Sequence, residues 1–294
     1  MTTSPKKEEA LNSVATRELI RLALAEDAPF GDMSAEHSVP AGHTSNARVI
    51  ARESQVFCGE RFIPLLFEEF AISLKFEVKA RDGQTLNDGD VILTVHGSTR
   101  GILQIERTLL NFLQRLCGVA SKTAEVVAQA GSMMVLDTRK TTPGWRTLEK
   151  YATRVGGARN HRFSLSDLIM IKNNHIDAHG GDVSATLSSV FATKPAYLPV
   201  EVEVRTFKEL EQVLPFSPTA VLLDNMSDQL ISDCLALIKK SAPTTLIEVS
   251  GGITSDRLPK LAALGVPAVS VGGLTTAARN RDISLRISVG GVPE

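Results

Sequence analysis

Net charge is the first thing this chain has little of. Its 32 Lys and Arg offset 33 Asp and Glu, leaving −1 over 294 residues, which argues against a broad nucleic-acid or membrane-facing surface. Cysteine is scarce as well. Cys58, Cys117 and Cys234 are odd in number, far apart and without a CxxC spacing, so zinc and dithiol redox chemistry are set aside and buried free thiols are expected. No apolar run approaches the length of a membrane span. Residues 1–11 carry Lys6, Lys7, Glu8 and Glu9 in place of the apolar centre of a secretion signal. A cytoplasmic, reducing setting is the expectation.

Charge is nevertheless concentrated in one place. Residues 137–176 hold eight Lys or Arg against three Asp or Glu, a local excess of five positive charges. Such a reversal of sign suits a pocket for a multiply charged acid.

The hydrophobic pattern divides the chain. From about Val135 onward, short apolar runs recur at 133–137, 168–172, 198–204, 220–224, 245–250 and 268–272. Helix-like stretches such as 145–155 and 227–240 lie between them. Six βα repeats imply a parallel sheet, and their number favours a barrel over an open doubly wound sheet. Earlier in the chain a helix is expected near 16–25, with alternating strands at 47–51, 73–80 and 91–95. The turn signals Asn87-Asp88-Gly89-Asp90 and Ala80-Arg81-Asp82-Gly83 suit antiparallel neighbours. This first region reads as a separate α+β domain, joined to the barrel by a long helix over 103–128. The last run, 283–289, alternates like a strand.

In a βα barrel the ligand site lies at the C-terminal ends of the strands. The residues to read are therefore Thr138, Arg139 and Lys140, then Lys172 to His175, Asp224 and Asn225, Ser250-Gly251-Gly252, and Val271-Gly272-Gly273, with Glu201 inside its strand. Helical phase puts Arg146, Lys150 and Arg154 opposite the apolar face of 145–155, so they are expected in solvent. Arg139, Lys140, Arg162 and Lys172 instead follow a strand or a glycine turn. Burying several cations together requires a bound polyanion or nearby acids, and Arg suits bidentate carboxylate recognition. His161, beside Arg162, is expected to stay neutral. His175 either binds substrate or holds its loop.

Glu201 and Glu203 share one face of their strand, and Asp224 ends the next. Carboxylates there suit a Mg²⁺ ion bridging a phosphate ligand; the rival for Glu203 is a salt bridge to Lys140 or Lys172. The glycine pairs after the last two strands suit a phosphate site. A phosphorylated sugar meeting a dicarboxylic acid fits this combination. A Schiff-base lyase using Lys140 or Lys172 is the competing chemistry.

The stretch Asp137-Thr138-Arg139-Lys140-Thr141-Thr142-Pro143-Gly144, with Asn160-His161-Arg162 downstream, resembles the quinolinate phosphoribosyltransferase family. Glu106-Arg107-Thr108-Leu109-Leu110-Asn111, Glu201-Val202-Glu203, Leu223-Asp224-Asn225-Met226 and Ser250-Gly251-Gly252-Ile253 extend the likeness over nearly the whole chain. The resemblance implies an incomplete TIM-like β/α barrel over 116–279, with an N-terminal α+β sandwich domain over 1–115 rejoined by 280–294. It implies decarboxylating phosphoribosyl transfer from phosphoribosyl pyrophosphate to quinolinate, with Mg²⁺. Arg107 of a neighbouring subunit in a homodimer would join Thr138, Arg139, His161, Arg162 and Lys172 around quinolinate. Lys140, Glu201 and Asp224 would serve catalysis, Glu201 and Asp224 as metal ligands. Ser250, Gly251, Gly252, Val271, Gly272 and Gly273 would hold phosphate. Asn173, Ala158, Ser164 and Thr276 depart from the family's usual Asp, glycines and His.

Overall fold

The computed structural model describes residue 11 and residues 13–288; residues 1–10 and Val289, named above, lie outside the described residues. Twelve strands occur among the described residues. They are β1 Thr44–Ala51, β2 Gln55–Val56, β3 Leu74–Val78, β4 Thr85–Leu86, β5 Val91–Ser98, β6 Met134–Leu136, β7 Ile169–Ile171, β8 Val200–Val204, β9 Ala220–Asp224, β10 Leu246–Ser250, β11 Ala268–Ser270 and β12 Ile283–Ser288. Contacts divide the chain into two compact units: 1–124 with 141–157 and 273–294, and 125–140 with 158–272. The expected boundaries were simpler. The segment 141–157 returns to the first unit and 273–279 joins it, so the chain passes between units more often than the apolar pattern suggests.

In the first unit β12, β1, β5 and β3 form an antiparallel sheet, while β2 and β4 make a separate ribbon. β1 buries every second residue, Ala47, Val49 and Ala51 among them, the period of a sheet with one covered face. The covering layer includes the helices Phe62–Glu69 and Thr99–Gln129, whose Phe62, Ile63, Leu66, Ile102 and Ile105 are fully buried. Phe62 meets Phe112 in a tilted pair and Phe112 stacks on Trp145, each at 4.8 Å between ring centres. β12 pairs residue by residue with β1 from Asn46–Ser288 to Ala51–Ile283. Hydrogen bonding from Arg279, and from the Asp282 backbone, holds the Glu53 carboxyl down at about 2.

The helix Arg146–Val155 corrects one expectation. Leu148 through Thr153 are consecutively buried, Lys150 completely so, and Arg146 and Arg154 are half-buried. An amphipathic reading assumes one wet face; this helix is covered all round. Charge on it is therefore met by protein groups. Arg115 donates to Glu149 at 3.1 and 2.6 Å, and Thr142 adds its backbone N–H and hydroxyl at 3.0 and 2.9 Å.

In the second unit six parallel strands run in the order β6-β11-β10-β9-β8-β7. Arg159 bridges Leu136 beyond β6, adding a seventh short segment. No pairing closes the gap to β7 among the described residues, which leaves the barrel incomplete. Register sets the height of every inward side chain. Met170, Glu201 and Ala220 lie level, as do Glu203, Leu222 and Glu248, and Asp224 lies level with Ser250.

Close packing in the long helix of the first unit is testable at Gly118. A Cβ there would sit 2.2 Å from the Arg279 carbonyl oxygen and 3.3 Å from the Asn280 Cα. Backbone cannot give way as a flexible side chain can, so Gly118→Ala should lose about 1–3 kcal/mol of stability despite its better helix propensity. Urea unfolding with an unchanged m-value reads this, and a stabilised variant would contradict it.

Candidate active site

The chemistry of a barrel unit depends on what anchors its loops. Asp137, 1% exposed at the end of β6, accepts the His161 backbone N–H at 2.9 Å and the Asn160 side-chain amide. The Asp-Thr-Arg segment and the Asn-His-Arg segment are thereby tied together. Thr138 closes the turn by accepting the Lys140 N–H at 3.0 Å. The guanidinium of Arg162 titrates below its ordinary range, because of burial first and the neighbouring positive charge of Arg139 second. Two guanidiniums close enough to disfavour each other make a strong seat for a dianion. Arg162 also donates to the Leu168 carbonyl at 3.2 Å, which fixes its side chain.

His161 has two acidic neighbours that its place beside Arg162 does not suggest. Its Nε2 lies 3.1 Å from Glu201 and 3.3 Å from Glu248. Burial pulls its pKa down, but hydrogen bonds to Glu201 and then Glu248, with the charges of both, raise it from 6.5 to about 9. One contact opposes this: the Arg162 backbone N–H donates to Nδ1 at 2.7 Å, which requires that nitrogen to be bare. Two carboxylates outweigh one amide, so the upward shift is the direction that stands.

The same cluster displaces Glu201 from the role expected of it. Glu201 lies level with Ala220, four residues below Asp224 on the adjoining strand. That offset is roughly 13 Å at ~3.3 Å per residue, too far for one ion to take both carboxylates directly. Glu203, two residues higher and on the same face, is level with Leu222 and accepts from Lys172 Nζ at 3.0 Å. The carboxylates at the strand ends are thus Glu203 and Asp224. Lys172 is held by a carboxylate, unlike the desolvated lysine that forms Schiff bases. His175 accepts the Lys172 N–H at 2.8 Å and is exposed, as its loop-holding reading requires.

Glycine loops follow the last two strands. Gly251 has φ +82°, and a Cβ on it would strike the Asn225 side chain at 2.3 Å. At Gly272 a Cβ would meet the Lys140 side chain at 2.9 Å, so the aliphatic stem of Lys140 lies over Gly272. Ser250 and Ser270 hydroxyls are 2.9 Å apart, and Val271 is buried. Gly273 opens the short helix Gly273–Thr276 of the other unit. Arg107, in that unit too, is exposed.

Several structuring residues were missed in the sequence. Arg257 donates to Asp228 at 3.1 and 3.0 Å, to the Gly251 carbonyl at 3.2 Å and to the Met226 carbonyl at 2.5 Å, binding two loops together. Arg115 joins Glu149 to the Thr275 and Ala278 carbonyls, both at 2.8 Å. Both look like ordinary helical arginines in sequence. Glu248 did carry a signal: it shares strand parity with Ser250 in an otherwise apolar run.

Paired arginines, a lysine over a glycine loop and carboxylates at the ends of parallel strands define a barrel that handles phosphorylated and carboxylated small molecules. The model for the quinolinate phosphoribosyl transferase N-terminal domain matches residues 32–117 and that for the C-terminal domain residues 119–286. The chain belongs to the quinolinate phosphoribosyltransferase family. It is 39% identical over 276 residues to the nicotinate-nucleotide pyrophosphorylase [carboxylating] of Mycobacterium leprae, covering 92% of this chain and 96% of that relative. The chloroplastic protein of the same name from Arabidopsis thaliana is 37% identical over 287 residues, 92% of this chain and 82% of that relative. Among solved structures, NadC from Streptococcus pyogenes superposes with a TM-score of 0.87 at 35% identity, covering 98% of this chain and 99% of that one.

The His161 cluster has a pH signature. Its folded pKa, about 9, exceeds the ordinary 6.5, so its stabilisation is complete below about pH 6.5 and disappears as pH rises through 9. The urea midpoint should fall over that window, and His161→Gln should flatten the fall. An identical slope in the variant would contradict the cluster's charge.

Proposed function

We propose that this chain transfers the phosphoribosyl group of phosphoribosyl pyrophosphate to quinolinate, releasing pyrophosphate and CO₂ and forming nicotinate mononucleotide, a step of NAD biosynthesis. The observation that carries the reading is Lys140 lying over Gly272. It joins the basic segment after β6 to the glycine loop after β11, so that a carboxylate seat and a phosphate seat adjoin. Family membership gives the reaction. The roles of individual residues rest on the geometry.

Arg139 and Arg162 bind the two carboxylates of quinolinate, with Thr138, His161 and Lys172 completing its seat. Held there, the pyridine nitrogen attacks the anomeric carbon while the bond to pyrophosphate breaks. Lys140 neutralises charge on the departing phosphate, and Ser250, Gly251, Gly252, Gly272 and Gly273 present backbone N–H groups to phosphoryl oxygens, while Val271, whose own N–H is donated to the Leu136 carbonyl at 3.0 Å, positions the second loop. Hard oxygen donors at the strand ends suit Mg²⁺, and Glu203 with Asp224 would hold it; when bound it supplies further neutralisation of the leaving group. The alkylated ring nitrogen is cationic. Electrons left at C2 when its carboxylate departs as CO₂ are stabilised beside that nitrogen, and C2 then takes a proton. No redox or Schiff-base cofactor is needed for this step.

The working form is a homodimer in which Arg107 of one subunit completes the quinolinate seat of the other. Three free, buried cysteines fit a reducing cytoplasmic setting, and no described helix is long and apolar enough to cross a membrane.

Purified protein given quinolinate, phosphoribosyl pyrophosphate and Mg²⁺ should release nicotinate mononucleotide, while no product would sink the reading. Arg139→Ala should raise the quinolinate KM roughly 10- to 150-fold, the equivalent of about 1.5–3 kcal/mol for a charged hydrogen-bonded contact. Mixing and reassembling inactive Arg107→Ala and Lys140→Ala subunits should restore activity at about a quarter of the sites if each site of a twofold dimer draws Arg107 from its partner. No recovery on mixing, with exchange shown by mass, would place Arg107 in its own subunit's site.

A further inference from the structure

The chain leaves the barrel unit at two neighbouring points, after Lys140 and after Gly272, where the Lys140 side chain lies over the glycine. Below these points the two segments are strand neighbours: Leu136 pairs with Ser270, and the Val271 N–H donates to the Leu136 carbonyl at 3.0 Å. Strand pairing ends there. Lys140 and the Gly272-Gly273 turn lie just past it, so other bonds must hold them.

One buried ion pair in the first unit takes over on both segments. Glu149, whose side chain is 1% exposed, accepts the Thr142 backbone N–H at 3.0 Å on one oxygen and the Thr142 hydroxyl at 2.9 Å on the other. The Thr142 carbonyl accepts the Trp145 N–H at 3.0 Å, so each polar group of this residue, two positions after Lys140, is engaged. The second Glu149 oxygen also accepts two N–H groups of Arg115, at 3.1 and 2.6 Å. Arg115 directs its remaining donors to the carbonyls of Thr275 and Ala278, both at 2.8 Å, and Thr275 stands three positions after Gly272. The carboxylate seat is anchored differently. Asp137 ties Asn160 and His161 to the end of β6 and donates its own N–H to the Arg159 carbonyl at 3.1 Å, while Arg162 is fixed on the Leu168 carbonyl. None of these bonds passes through Glu149 or Arg115.

We propose that Arg115 and Glu149 are positioning residues for the phosphate end of the site alone. Through Thr142 on one side and the Thr275 and Ala278 carbonyls on the other, they keep Lys140 and the Gly272-Gly273 turn set for the same diphosphate group, and they take no part in seating the dicarboxylate. A loop ordered before the anion arrives does not draw on binding energy to become ordered. This role rests on the assignment of Lys140 and the glycine loops to phosphoribosyl pyrophosphate.

Glu149→Ala would strand a buried guanidinium and endanger the fold, so the test uses milder changes. Thr142→Val removes one hydroxyl from an exposed residue, and Arg115→Lys keeps the charge but lacks the fork that reaches Glu149 and two carbonyls at once. Calorimetric titration of the intact protein with pyrophosphate in Mg²⁺ and, separately, with quinolinate reads the two ends apart. Pyrophosphate affinity should weaken about tenfold in each variant, roughly one charged hydrogen bond, while quinolinate affinity stays within about twofold of wild type. Thr142→Ser should restore pyrophosphate binding. In turnover, both variants should show a lower kcat and a higher KM for phosphoribosyl pyrophosphate, with the quinolinate KM unchanged. Thermal unfolding checks that they fold; if Arg115→Lys does not, Thr142→Val with its Thr142→Ser rescue decides alone. Equal weakening of both ligands would overturn the proposal, because a pair that only supports the fold loosens both seats together. Unchanged pyrophosphate affinity in the folded variants would overturn it too, as would a wild type that fails to bind either ligand. Selective weakening in a protein that binds both ligands but forms no nicotinate mononucleotide would leave the positioning role standing and the proposed reaction rejected.

Discussion

One imidazole held between two buried carboxylates is the constraint on which the barrel unit depends. Two acids brought within reach of each other inside a protein repel, and neither can be desolvated cheaply. His161 makes their company tolerable, at 3.1 and 3.3 Å. The cost falls on His161, whose position must then be fixed from outside. Asp137 does this through the His161 backbone N–H, and Asp137 itself ends β6. Strand, loop and ion cluster are thus links of one chain of hydrogen bonds, and Arg139 and Arg162 lie within it.

Height along a strand decides which acid does what. Glu201 and Glu203 share a face, so alternation alone cannot rank them. The pairing register does, setting Glu201 beside Ala220 and Glu203 beside Leu222. The lower acid is consumed by His161, and the higher one meets Lys172 near the mouth. Register between parallel strands depends on the lengths of the helices and loops that join them. One strand's own pattern does not contain it.

This marks the boundary of what was legible in the chain. All six barrel strands, the long helix and the return strand could be read from apolar period, because burial on one face or two leaves a direct trace in residue order. Arg139, Lys140, Arg162 and Lys172 were legible from position after strand or turn. Lys150 was not: its helix carries a clean apolar stripe, and the stripe says nothing about whether the other face is also covered. Nor were Arg115 and Arg257, whose partners are largely carbonyl oxygens and acids far away in sequence. Such bonds follow from tertiary closeness, and their donors look like solvated helix charges until the fold is known.

The two nodes built on those arginines have a common physical purpose. Loops that present backbone N–H groups to phosphate must be rigid before the anion arrives, since ordering them at that moment would consume binding energy. Glycine is needed in such loops for close approach, as the contacts at Gly251 and Gly272 show, yet glycine is also the residue that loosens a backbone most. Arg257 offsets this by holding the Gly251 and Met226 carbonyls. Arg115 does the same for the Thr275 and Ala278 carbonyls that follow Gly273. In both places one guanidinium, with donors in a fixed fork, supplies the stiffness that the loop's own residues cannot. Both forks also end on an acid, Asp228 or Glu149, so each is neutralised locally, as Lys172 is by Glu203, in contrast to the pair Arg139 and Arg162, where one positive charge faces another.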